Sequence, residues 1–105
     1  MTKEKRQELR NWFRETAEEI REYRRRFKKH CQSGFTTDWT WRDESAQWRL
    51  SREFRHRHIA YCQLRGRKRE EIERPREGNL PNEELIQRYM DEFSAGPETV
   101  CSDQS

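Results

Sequence analysis

The chain has 105 residues and a net charge of +3, with 41% of its residues charged and only 30% hydrophobic. A chain of this length is too short for two independent cores, and its composition lies toward the disordered side of the globular range. Four Trp, five Phe and three Tyr residues nevertheless exclude a purely solvated tail, because such side chains supply large apolar areas for a core or an interface.

The charge is unevenly distributed along the chain. Residues 77–105 hold seven carboxylates and one arginine, a net charge of −6, so residues 1–76 carry +9. The basic part and the acidic part are therefore separate, which favours a polyanionic or acidic partner for the basic part.

A long amphipathic helix is predicted over residues 3–31, with Thr2 as a candidate N-cap. Apolar and aromatic residues recur there at steps of three and four, and at about 100° per residue they form one stripe. The stripe consists of Leu9, Trp12, Phe13, Thr16, Ala17, Ile20, Tyr23, Phe27, His30 and Cys31.

Residues 32–41, with the sequence QSGFTTDWTW, interrupt this pattern. Gly34 is a helix stop, and the neighbouring Thr and Asp residues favour turns and caps. We expect Phe35, Trp39 and Trp41 to fold under as a plug over the end of a helical hairpin. The alternative is that the three rings form an exposed contact surface.

A second helix is predicted from Trp41 or Asp43 to Arg65, with Gly66 as its stop. Its apolar side on a helical wheel consists of Leu50, Ser51, Phe54, His58, Tyr61 and Cys62, flanked by Trp48 and Ile59. The polar side opposite consists of Arg49, Arg52, Glu53, His56, Arg57 and Gln63.

Two shorter helices are predicted next, one over residues 68–74 before Pro75 and one from Asn82, its N-cap, to about Ser94. Residues 95–105 have the composition of a disordered tail.

The chain has no strand pattern, so these elements predict an all-α fold. The expected architecture is one domain over residues 1–94, in which a long antiparallel helical hairpin is followed by two short helices that form a small cap.

The three cysteines, Cys31, Cys62 and Cys101, are odd in number and widely spaced. This spacing favours free thiols in a reducing compartment over a disulfide framework. No apolar run approaches the ~18 residues of a membrane-spanning helix, and the first residues lack a signal-peptide core. We expect a soluble, cytoplasmic protein with no membrane partner.

Three basic clusters, at residues 24–29, 49–58 and 65–69, are candidates for contacts with phosphates. Several cations on one surface release counterions from nucleic acid, and interleaved aromatic rings suit its bases. In the first cluster, glutamates one turn away favour intrahelical ion pairs instead. The leading predicted contacts are Arg65, Arg67, Lys68 and Arg69, with Arg55, Arg57, Arg25 and Lys29 in support.

A helix-turn-helix that reads DNA sequence is a weaker alternative. Its recognition helix would be the last one, which opens with Glu83 and Glu84 and also carries Asp91 and Glu92. Phosphates repel these carboxylates, so the pattern argues against a groove-reading helix.

His58 and Cys62 stand four residues apart on one helical face, where both can reach one zinc ion. His30 and Cys31 would have to complete the site, but in a hairpin they lie near the loop, about 25 Å from His58. A core histidine beside a buried thiol is the preferred interpretation, and we expect no metal or other cofactor.

Catalysis has less support than binding. His56 and His58 lack a nearby serine or aspartate motif, and the four glycines form no phosphate loop. The carboxylates alternate with arginines as they do in ion pairs. We therefore predict no catalytic residues and no enzymatic activity.

Residues 54–82 contain an FRHxHIAY helix, an LRGRxxExIE turn and helix, and a GNxPN turn. This segment, about a quarter of the chain, resembles short uncharacterised proteins of tailed phages. The resemblance implies that Gly66 stops the second helix, that Ile72 packs the third, and that residues 79–82 form a turn. It also implies a small phage accessory product, a class with many inhibitors of host enzymes and anti-CRISPR proteins.

The predicted function is non-enzymatic binding to nucleic acid or to a host nucleic-acid-handling complex in the host cytoplasm. The alternative is a protein–protein inhibitor or adaptor without nucleic-acid contact. It would grip an acidic host protein surface through Trp39, Trp41 and the arginine clusters. The aromatic faces also offer a surface for a homodimer.

Overall fold

The computed structural model describes residues 1–35, 38–74 and 76–95. All regular secondary structure in this part of the chain is helical, which confirms the predicted all-α class. The helices are α1 (Lys3–Gln32), α2 (Trp41–Leu64), α3 (Arg69–Ile72) and α4 (Glu83–Ser94). The predicted bounds of α1, α2 and α4 are correct to within two residues. The predicted tail from residue 96 onward lies outside the described residues.

Local signals define the ends of α1. The Thr2 Oγ1 accepts a hydrogen bond from the Lys5 backbone N–H at 3.1 Å, which caps the N-terminus as predicted. At the other end, Gly34 has φ of +73°, and the Phe35 N–H donates to the His30 carbonyl at 2.9 Å. A left-handed glycine of this kind closes a helix because it carries no Cβ. The 30 residues between give a helix about 45 Å long.

Asp43 fixes the start of α2. Its Oδ2 accepts from the Thr40 backbone N–H at 2.9 Å, and its Oδ1 lies 3.3 Å from Arg26 Nη2 near the end of α1. The Thr40 backbone bond, assisted by the Thr40 hydroxyl and Arg26, holds the pKa of Asp43 below its usual value. Asp43 therefore caps α2 and also ties its beginning to α1.

Aromatic rings pack the other end of α1 against α2. The Phe13 ring contacts Phe54, His58 and Tyr61 edge to face, with centroids 5.4 to 5.7 Å apart. Trp12 stacks on Phe54 at 6.2 Å. Early residues of α1 thus meet late residues of α2, whereas Arg26 meets Asp43, so the two helices run in opposite directions.

α4 completes the core by packing on the C-terminal half of α2. Phe93 and Ile86 from α4, Ile59 from α2 and Leu9 from α1 are almost fully buried together. Arg57 lies between these helices, with its guanidinium carbon 4.7 Å from the Trp12 ring centroid and 4.9 Å from that of Tyr89. Such cation–π contacts allow the arginine to stay in the apolar layer.

His56 also lies beneath α4, which corrects the prediction that it belongs to the polar side of α2. Only 4% of its surface is exposed. Its Nδ1 donates to the Arg52 carbonyl at 2.7 Å, and its Nε2 accepts from the Asn82 N–H at 2.9 Å. The wheel was wrong here because α2 has a second packed side, on which this ring joins α2 to the N-cap of α4.

Arg55 joins α2 to the segment between α3 and α4. Its Nε and Nη2 bind the Glu73 carboxylate at 2.7 to 3.1 Å, and its Nη2 also donates to the Asn79 carbonyl at 2.7 Å. Glu73 is already extended, with φ of −159°, so α3 ends at Ile72 and is shorter than predicted.

Among the described residues, no helix is long and apolar enough to cross a membrane.

Candidate functional site

Three of the predicted binding residues are engaged inside the fold. Arg55 is held by Glu73 and Asn79 as described above. Arg69 binds Glu83 through two parallel bonds, at 2.7 Å from Nη1 and 2.6 Å from Nη2. Both partners titrate accordingly: the hydrogen bond from Arg69 lowers the pKa of Glu83, and that same bond raises the pKa of Arg69.

Arg57 is the third of these engaged residues. Its Nε lies 2.9 Å from Glu53 Oε2, but no acceptor among the described residues lies in line with this N–H. The contact is therefore an ion pair without a well-directed hydrogen bond, and the cation–π contacts position the guanidinium group. A ligand that recruited Arg55, Arg57 or Arg69 would have to break contacts that stabilise the fold.

Arg65, Arg67 and Lys68 have a different environment. All three are exposed. Arg65 Nη1 donates to the Tyr61 hydroxyl oxygen at 3.3 Å, and Arg67 Nη2 donates to the Glu71 carbonyl at 3.2 Å. Within residues 1–35, 38–74 and 76–95, none of the three forms an ion pair with a carboxylate.

A residue that the sequence did not single out, Arg10, joins them. Its Nε donates to the same Tyr61 oxygen at 3.4 Å, across 51 positions of sequence. Arg10 too has no ion pair in the described part of the chain. We call Arg10, Tyr61 and Arg65 the Tyr61 cluster.

The Tyr61 hydroxyl responds to both arginines. Burial acts to raise the pKa of Tyr61, but the hydrogen bonds and charges of Arg10 and Arg65 outweigh burial, so the pKa lies below 10.0. Two guanidinium groups thus converge on one neutral oxygen, and most of their N–H donors have no acceptor among the described residues. Each guanidinium has five donors in a planar fork, which suits a bidentate contact with phosphate or carboxylate.

Arg25 and Lys29 are not part of this group. Both are exposed on the distal part of α1, and Arg25 lies about 22 Å from Arg10 along the helix axis. Arg25 forms an ion pair with Glu22, as the glutamates one turn away predicted. The predicted contacts therefore do not form one continuous site.

The three aromatic residues of the connecting segment do not behave alike. Trp39 is half-buried against Phe27 and Tyr23, with ring centroids 5.3 and 6.2 Å apart, and Arg26 lies over its ring. Phe35 and Trp41 are 69% and 72% exposed. The plug prediction is correct for Trp39 and wrong for Phe35 and Trp41.

His58 and Cys62 contact each other, with 3.6 Å between Nε2 and Sγ, as expected for a core histidine beside a thiol. Burial is the main cause that lowers the pKa of His58, and the positive charge of Arg67 lowers it further. Cys31 and Cys62 are both free thiols. Nowhere in the described ranges do three or more His, Cys, Asp or Glu side chains form a group that could hold a metal ion.

Comparison with known proteins identifies no relative of this chain. No protein-family model, no curated protein and no solved structure matches the chain.

Proposed function

We propose that the chain is a non-enzymatic binding protein that contacts the phosphates of nucleic acid through the Tyr61 cluster, with Arg67 and Lys68 beside it. The observation that carries this proposal is the convergence of Arg10 and Arg65 on the Tyr61 hydroxyl without an ion pair within the described residues. The cluster presents positive charge and unused donors on one surface, which is the requirement for phosphate binding.

The neighbouring arginines differ from Arg10 and Arg65 in their partners. Arg55, Arg57 and Arg69 each have a carboxylate within 3 Å, which neutralises them internally. Arg10 and Arg65 repel each other instead, and a bound phosphate would relieve that repulsion. A fold that pairs some arginines and leaves two converging ones unpaired has the charge pattern of an anion-binding surface.

The wider biological setting is part of the same proposal. The segment that resembles tailed-phage proteins, residues 54–82, includes Tyr61, Arg65 and Arg67. We therefore place the protein in the host cytoplasm as a phage accessory product, where it acts on nucleic acid or a nucleic-acid-handling complex as a host-takeover or anti-CRISPR-like inhibitor. The helical hairpin would present the cluster, and α3 and α4 would form a small cap beside it.

A second candidate function is a protein–protein inhibitor or adaptor that grips an acidic surface. The exposure of Trp41 favours it, because tryptophan and arginine dominate binding energy at protein interfaces. Trp39, the other tryptophan of that prediction, packs inside the chain and supports the site only indirectly. A homodimer through the exposed rings belongs to the same class of contact.

The test is a titration of the full chain against labelled single-stranded and duplex oligonucleotides at several salt concentrations. Replacing Arg10 and Arg65 together by Gln is expected to weaken binding at least tenfold, since charge-assisted contacts contribute about 1.5 kcal/mol or more. The slope of log affinity against log salt should become shallower by about 1 to 2.

The matched control is the double variant in which Arg21 and Arg88 are both replaced by Gln. It removes two positive charges, as the test variant does. Arg21 and Arg88 are exposed and lie outside the cluster, so this control should leave the salt slope unchanged. Arg69 is kept intact because its loss would break the pair with Glu83. Equal losses in the two double variants, or no binding at low salt, would refute the proposal.

A further inference from the structure

A second surface lies at the other end of α2, where the described residues leave one side of the helix exposed. Trp41 and Trp48 are 72% and 66% exposed there. They are seven residues apart, so both rings project from the same side of the helix, about 10.5 Å apart along its axis. On the C-terminal half of α2 the same side is covered, since Ile59 is 1% exposed.

A cleft adjoins Trp48 where the turn before α4 approaches α2. Its volume is about 540 Å³, within the range of clefts that hold small ligands. Trp48 and Arg52 form one wall, and Asn79 and Leu80 form the other. Leu80 is also exposed, at 67%.

The charged groups that line this cleft are positive, whereas the groove between Trp48 and Trp41 is lined by both Glu44 and Arg49. The lining of the cleft includes Arg52 and Arg55 and contains no carboxylate among the described residues. Arg55 is already bound by Glu73 and Asn79, whereas Arg52 and its neighbour Arg49 form no ion pair in the part of the chain that the structure describes. Arg52 is therefore the cation of the cleft that is available to a ligand.

We propose that this cleft and the exposed tryptophans form a stacking site for single-stranded nucleic acid. A base would stack on the Trp48 ring, Arg52 would contact the adjoining phosphate, and Trp41 would receive a base further along the strand. This inference rests on the proposed function and specifies its ligand. A flat aromatic wall next to an unpaired guanidinium matches a nucleotide, which combines a π-face with a negative charge.

The same surface excludes an ordinary duplex as the preferred ligand. Bases in a duplex are already stacked on one another, so their faces are not accessible to a side chain without unstacking. In a single strand the faces are accessible, and small single-strand-binding modules combine such aromatic platforms with basic grooves. Single-strand preference therefore follows from Trp48, whereas the Tyr61 cluster would contact phosphates of either form.

The experiment compares binding of the full chain to an oligonucleotide of about 15 nucleotides, the upper range for one small module, in single-stranded and duplex forms. Trp48→Ala is expected to weaken single-strand binding about 5- to 150-fold, the effect of losing one stacked base, and to leave duplex binding unchanged. Trp48→Phe should restore part of the loss. Arg52→Gln should reduce the salt slope by about 0.7.

Phe35→Ala is the matched control, because Phe35 is exposed to the same degree as Trp48 but lies outside the cleft. Single-strand binding should also quench tryptophan fluorescence in the native chain and quench it less in Trp48→Phe.

The possible failures are distinguishable. The stacking site would be overturned if Trp48→Ala and Phe35→Ala reduced single-strand binding equally, or if the chain bound duplex and single strand with equal affinity. Either outcome would leave the proposed function standing. No binding to either form at low salt would overturn both. Trp48-dependent binding to an acidic polypeptide such as polyglutamate, without nucleic-acid binding, would also overturn both and favour the protein–protein alternative.

Discussion

The two halves of α2 have different surroundings. Residues 53–64 are enclosed by α1, by α4 and by the segment that follows α3, and they include every residue of α2 that is buried. Residues 41–52 have α1 as their neighbour, and their exposed side carries Trp41 and Trp48. The described residues therefore enclose the C-terminal half of the helix and leave one side of its N-terminal half exposed.

The largest expected effect tests this division directly. Phe93 is fully buried against the enclosed half, so Phe93→Ala should lower the free energy of unfolding by about 3 to 5 kcal/mol. Trp48→Ala removes an even larger side chain from the open half and should change stability by no more than about 0.5 kcal/mol. Urea unfolding followed by circular dichroism measures both. Similar losses would mean that the open half also contributes to the core.

A smaller effect is expected at His56, which bridges α2 and α4. His56→Phe keeps an aromatic ring but leaves the Asn82 N–H and the Arg52 carbonyl without this partner. An unsatisfied buried group costs about 1 to 3 kcal/mol, so stability should fall by that amount. The Asn82 amide should also exchange its hydrogen faster.

His58→Phe is the control for this variant. The His58 ring stacks on Phe54 and contacts Phe13, and its only polar contact within the described residues is the Cys62 thiol. Phenylalanine can keep the ring contacts, so the loss should stay below about 1 kcal/mol. If both variants lost equal stability, the hydrogen bonds of His56 would not be what joins α4 to α2.

The same division separates what the sequence could predict from what it could not. Caps and periodicity are local, and Thr2, Gly34, Gly66 and Asn82 indicated the helix ends that the structure has. The position of His56 was missed because a helical wheel with one apolar side cannot show that α4 covers a second side. The alternation of exposed and packed rings between Phe35 and Trp41 depends on α1 in the same way.

The candidate site was predicted only in part, for a related reason. Arg65, Arg67 and Lys68 were recognisable as basic residues at a helix end. Arg10 was not, because its position beside Tyr61 follows from the register between α1 and α2. The register could have been predicted by assuming that Trp12 and Phe13 pack against Phe54 and Tyr61, as they do in the structure. The internal partners of Arg55 and Arg69, which are 14 to 24 positions away, left no comparable signal.

The smallest expected effect concerns the pKa of His58, which lies below 6.5. Burial is the main cause that lowers this pKa, the charge of Arg67 lowers it further, and the charge of Glu73 acts to raise it. Below pH 6.5 the unfolded chain therefore binds more protons at this residue than the fold does. Stability from His58 is complete above that pH and falls as the pH drops toward the folded-state pKa. Arg67→Gln should raise the pKa of His58 and reduce this loss.

An NMR titration of the His58 ring measures the shift, with Arg88→Gln as the control, since Arg88 is not among the charges that act on His58. The contribution of Arg67 to this pKa is Coulombic. A phosphate bound at Arg67 should therefore raise the pKa of His58, as removal of the Arg67 charge does. Repeating the titration with bound oligonucleotide therefore reports whether Arg67 meets a phosphate. A pKa that rises in Arg67→Gln but not on binding would mean that no bound phosphate reaches Arg67.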